Sequence, residues 1–182
     1  MNQTSFSYSS HALGWRCDSC HLRITSIEDG WVEWLAAENK RGGNILSGLR
    51  LVHRHTERRG QDEHTCRYDP RKVFGRHKSV VEGVALESVV GPDGLMLLLS
   101  FLASGEFPRA EVLELAKRVQ VPGYETARTF LQEAIASKVV TPFLGDGYYL
   151  QSEINELLHW ANEKPKRPQP RSHHENQRPV AV

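Results

Sequence analysis

Cys17-Asp18-Ser19-Cys20 places two of the chain's three cysteines on one short turn. Two thiolates separated by two residues can point at a single ion, which makes half of a tetrahedral structural metal site. Cys66 is the one thiol left, so the fourth ligand must be nitrogen or oxygen, and His53 and His55 lie just upstream of it. In a strand running from Leu49, positions 49, 51, 53 and 55 share a face. If Leu49 and Leu51 face the core, His53 is carried there with them, and His55 is the alternate if the strand continues. The sequence therefore predicts one Zn2+ held by Cys17, Cys20, His53 and Cys66, with His55 as the alternate nitrogen. Four protein ligands leave no open position for a water nucleophile, so the ion is expected to be structural. In so small a module it would supply much of the folding free energy. A redox CxxC is the main rival, but no βαβ pattern surrounds the pair.

The other chemistry-bearing residues are basic and unevenly spread. Net charge is only +1, yet residues 50–78 carry nine Lys/Arg against four Asp/Glu. Residues 164–182 carry five against one, while 79–108 and 139–163 contain no Lys or Arg. Averaging hides two basic patches. The first, with Arg58 and Arg59 at its polar loop, could track a phosphate backbone or be a solvated surface. Trp15, Trp31 and Trp34 could stack on bases, although packing around a small metal-centred core is the simpler reading.

The elements that must position these groups change period along the chain. An apolar fraction of 39% and a charged fraction of 25% are those of a folded protein. Residues 1–13 are Ser-rich and are expected to be flexible. Residues 14–78 form the zinc module, with strands expected near 30–35 and 48–53 from alternation and from aromatic or branched content. From Gly91 the period is helical. Leu95, Leu98, Leu99 and Leu102 make one stripe, Val112, Leu115, Ala116 and Val119 a second, and Ala127, Phe130, Leu131 and Ala134 a third. Ser152 is the expected N-cap of a last helix with Ile154, Leu157, Leu158 and Ala161 on its apolar side. Residues 79–163 are thus read as a helical domain with stripes of its own, and 164–182 as a disordered Pro/basic tail. The fold class is α+β.

Residues 94–150 resemble bacterial winged helix-turn-helix proteins. The likeness rests on three helices, a turn at Gln120-Val121-Pro122-Gly123, and two wing-like strands at 138–143 and 148–150 joined by Leu144-Gly145-Asp146-Gly147. The whole chain is also similar to uncharacterised bacterial proteins that carry a CxxC, a later His and Cys, and this helical half. The first resemblance implies a third helix lying in the major groove, where Arg128, Thr129 and Gln132 would contact DNA, with Glu125 on the same face. Its wing departs from the pattern, because the loop offers Asp146 and no Lys or Arg, and Phe143 and Leu144 are apolar. A phosphate-facing loop of negative charge forfeits the electrostatic term of DNA affinity. Phe143 and Leu144 point instead to a partner contact.

Two functions follow as expectations. One is a non-enzymatic, nucleic-acid-associated or regulatory protein that binds duplex DNA through the basic loop and third helix. The alternative is an adaptor that uses the wing and last helix to bind a protein partner or a second copy. An HNH-type metal nuclease would need a ligand-bearing helix after His55, where a charged loop stands. No Gly-rich phosphate loop, GxSxG elbow or paired-carboxylate motif is present, so no catalytic residue is assigned. The polar start lacks a signal peptide's basic and apolar regions, and the apolar run 95–99 is too short to span a bilayer. With an odd number of cysteines as well, a cytoplasmic location without membrane contact is expected.

Overall fold

The computed structural model describes residues 14–38, 42–54, 57–59, 62–145 and 147–164, without the side chains of 57–59, 62–64 and 77. The expected flexible start, His55, Asp146 and the tail beyond Lys164 lie outside the described residues.

The chain is α+β, as its two periodicities require. Two strands of two residues each, β1 (Trp15–Arg16) and β2 (Arg23–Ile24), pair antiparallel and flank the CxxC turn. The main sheet is antiparallel, with β3 (Gly30–Glu38) between β4 (Asn44–His53) and β7 (Val80–Ala85). The hairpin β5 (Glu57–Arg59) and β6 (Asp62–His64) leads to α1 (Pro70–His77), whose Asp69 cap accepts from the Arg71 and Lys72 amides.

Register along β3 and β4 sets what the sheet can hold. Gly30 pairs with His53, Val32 with Leu51 and Glu33 with Arg50. A bulge then lets β4 gain a residue, with Gly48 at φ 67°. A Cβ there would come within 2.8 Å of the Tyr68 hydroxyl, so the bulge requires glycine on both counts. The Leu49 amide, freed from the ladder, donates to Glu111 Oε2 at 2.8 Å.

The expected boundary at residue 78 falls inside one packed unit. β7 lies beyond it yet pairs with β3, and a 3-10 turn at Leu86–Val89 feeds α2 (Gly91–Ser104) and α3 (Arg109–Gln120) onto the same sheet. Val32, Trp34 and Leu51 share a buried cluster with Leu98, Phe107, Val112, Leu115 and Val119. Trp34 meets Phe101 and Phe107 edge-on, with centroids 5.6 and 5.5 Å away. The helical stripes at 95–119 therefore do not serve a separate domain. They cover the apolar side of the strands.

The helical remainder departs from the winged-helix expectation. The expected third helix is two short pieces, α4 (Tyr124–Ala127) and α5 (Leu131–Ala136). Between them the Thr129 hydroxyl donates to the Thr126 carbonyl at 2.8 Å, and the Thr129 and Phe130 amides bond three residues back instead of four. Residues 138–143 and 148–150 form no β-ladder among the described residues. Lys138 turns the chain at φ 56°, and Pro142 offers no amide donor. The last helix, α6 (Gln151–Glu163), starts before Ser152, and Glu153 reaches back to accept from the Leu150 amide at 2.6 Å. Tyr124, Ala127, Ala134, Val140, Ile154 and Leu157 make a second, smaller cluster. No helix among the described residues is long and apolar enough to cross a membrane.

Candidate metal centre

Cys17, Cys20, His53 and Cys66 converge, with one donor atom from each lying within 4.8 Å of all the others. Cys17 and Cys20 belong to the turn between β1 and β2, His53 ends β4, and Cys66 follows β6. Cys17 and Cys66 are buried, His53 is 4% exposed, and none of the three thiols is in a disulfide. The turn is shaped by the Cys17 amide on the Leu22 carbonyl (2.8 Å) and the Ser19 amide on Cys17 Sγ (3.4 Å).

The imidazole geometry selects the ligating nitrogen. His53 Nε2 lies 3.2 Å from the Arg23 carbonyl oxygen, which can only accept, so Nε2 carries the proton. Nδ1 is then an unprotonated donor, 3.5 Å from Cys20 Sγ and 3.6 Å from Cys66 Sγ. A tetrahedral ion with bonds of about 2.3 Å to sulfur and about 2.05 Å to nitrogen sets those atoms roughly 3.5–3.6 Å apart. Donor chemistry, tautomer and spacing all fit one tetrahedrally held ion. Burial, followed by the neighbouring Cys20 and Cys17 sulfurs, pushes the metal-free Cys66 thiol up to about 12 from its ordinary 9.0. Three adjacent thiolates are stable only with a cation among them. His55 lies outside the described residues, and the ligand set is complete without it.

The other expected contact residues are dispersed. Arg58 and Arg59 occupy β5, opposite Glu63 and Asp62. Thr129 and Gln132 are exposed. Arg128 is not free to reach outward, because its Nε donates to Glu125 Oε2 at 2.7 Å. Glu125, expected on the exposed face, is 6% exposed. Phe143 and Leu144 are 79% and 58% exposed.

Charged residues that the motif reading passed over hold the centre in place. Glu33 is fully buried, and its Oε1 accepts from Arg50 Nε and Nη2 (2.9 and 2.7 Å) and from the Tyr68 amide (2.9 Å). Arg50 Nη2 also donates to the Cys66 carbonyl at 3.2 Å. A readable signal existed for this pair, since each is a charge flanked on both sides by apolar residues of its strand. Asp18 binds Arg118 across a hundred residues of sequence, and no local pattern announces that contact. Burial pulls the Arg118 pKa down, but the Glu125 and Asp18 carboxylates outweigh it and leave the pKa above the usual arginine value.

No protein-family model matches this chain, and neither does any curated protein or solved structure.

Proposed function

We propose that this chain is a non-enzymatic zinc protein that associates with duplex nucleic acid through its metal-centred unit. Zn2+ suits the Cys3His donor set, and a closed tetrahedron is a structural site. The observation that carries the reading is a pair of adjoining clefts, of about 330 and 410 Å³, that share Arg67, Tyr68 and Asp69. Arg50, Lys72 and Arg76 line the first, and Arg54 the second. Arg50 stacks on Tyr68 at 3.4 Å, while Arg67 and Arg54 sit over Trp31 at 4.7 and 5.6 Å. Arg50 is held by Glu33 and the Cys66 carbonyl. The guanidinium edges offered to phosphate oxygens are therefore those of Arg54 and Arg67, whose planes are ordered by stacking, with Lys72 and Arg76 beside them. Arg128 is already held by Glu125, so the reading rests on the sheet-and-α1 surface and not on the helix pair.

Fluorescence anisotropy on labelled duplex DNA tests this. Binding should fall steeply with salt, because phosphate neutralisation releases counterions. Lys72→Glu with Arg76→Glu should weaken all sequences alike and reduce the salt slope by about 2. Binding that ignores both salt and these charges refutes contact through this surface.

A second reading, the adaptor, is favoured by one observation. Phe143 and Leu144 lie open beside Tyr148 and Leu150, themselves 44% and 40% exposed. Phe143→Ser with Leu144→Ser would then abolish self-association seen by sedimentation. An unchanged association state removes this surface from consideration.

A further inference from the structure

We propose that Asp18 couples the metal centre to the helical part of the chain, so that metal loading controls the placement of α4 and of the exposed surface that follows it. Asp18 stands between two ligands in the CxxC turn and joins that turn to β4. Its amide donates to the Leu51 carbonyl at 2.8 Å, and its Oδ2 accepts from the Leu51 amide at 2.7 Å. The same carboxylate receives Arg118 Nη1 at 3.0 and 2.7 Å.

Arg118 passes the contact on with every guanidinium nitrogen. Nη2 donates to the Arg16 carbonyl, next to Cys17, at 2.8 Å, and to Glu125 Oε1 at 3.1 Å. Nε donates to Glu125 Oε2 at 2.8 Å. Glu125 also accepts from the Arg16 amide at 2.8 Å and from Arg128 Nε at 2.7 Å. The set holds two acids and two arginines, and Arg118 and Glu125 are only 4% and 6% exposed. Withdrawing Asp18 leaves a net positive charge where solvent screens little, an outcome the fold resists. α4 is four residues long and cannot hold itself as a free helix, so it is tied by Glu125 together with the buried Tyr124 and Ala127. Thr126 and Thr129, on and just after α4, line a cleft of about 220 Å³ with Arg16 and His21 of the metal turn.

The ion fixes the turn, the turn fixes Asp18, and Asp18 balances the arginine that holds α4. Coupling of this kind is reciprocal, so disturbing the network must weaken metal binding by the factor with which metal loss loosens α4.

Hydrogen–deuterium exchange on the full chain, with one equivalent of Zn2+ or with excess chelator, tests the proposal. In the parent protein chelation should speed exchange of the amides of 118–127 by at least about tenfold, the change expected when a hydrogen bond to a charged group is lost. Asp18→Asn should still bind one Zn2+ per chain, with those amides already fast in the loaded state and those of β7 unchanged. Parent protection that ignores chelation overturns the proposal, as does Asp18→Asn protection equal to the parent's. Glu125→Gln removes the charge but keeps an oxygen that can accept from the Arg16 amide, and it reports from the other end. Its Zn2+ affinity, from competition with a chromogenic chelator, should fall about tenfold by the same reasoning, and an unchanged affinity overturns the coupling.

Discussion

The two buried clusters are built from similar side chains but are secured differently. Around Val32, Leu51 and Leu98 a three-stranded sheet is closed by two full helices, and the Cys3His set pins its edge. Around Ala127, Ala134 and Ile154 the described residues form two short helical pieces against α6. Among the described residues the first cluster has sixteen buried members and the second six. Six buried side chains cannot offset the ordering entropy of some forty residues, so the second cluster depends on the first. Its visible tether is Arg118 to Glu125, aided by Lys117, whose Nζ donates to the Gly147 carbonyl at 2.9 Å. Foldability here is not shared evenly. One region holds its own shape once metal is bound, and the other borrows it.

The largest expected effect is on the metal. Cys17→Ser removes a buried ligand and should cost about 4–5 kcal/mol or more, with zinc content falling well below one per chain. Acidification acts in the same direction, since protons compete for thiolates and metal is released as pH falls. Urea unfolding of a Trp160→Phe variant, followed at Trp15, Trp31 and Trp34 and separately at α6, tests dependence between the regions. Helices 124–163 surviving intact after the first region melts would break the comparison.

Core truncations sharpen it. Leu98→Ala, 1% exposed in the parent, should fall near the upper end of about 2–5 kcal/mol and lower the whole calorimetric transition. Ile154→Ala, equally buried, should fall near the lower end, because a small cluster relaxes around the gap and little else rests on it. Equal losses with identical transition shapes would mean that the two clusters are one cooperative core. Smallest of all is Phe143→Ser with Leu144→Ser, expected within about 0.5 kcal/mol of the parent by thermal melting, as both side chains are already in water.

What the sequence determined by itself was local. Alternation placed β3 and the ligand-bearing end of β4, and the shared face favoured His53 with His55 as the alternate, because strand geometry repeats every two residues. The CxxC spacing supplied its half of the metal site because a tight turn lets both thiols point at one ion, and helical periodicity located α2, α3 and α6. Tertiary structure decided what those elements are for. The sheet recruited β7, α2 and α3 across the expected boundary, since an apolar sheet face must be covered by whatever packs there. Arg128 and Glu125 carry the right side chains for an exposed recognition surface. Whether they stay exposed depended on Asp18 and Arg118 arriving from distant parts of the chain. Local pattern encodes periodicity and spacing, whereas the pairing of buried charges is settled only when the chain has closed on itself.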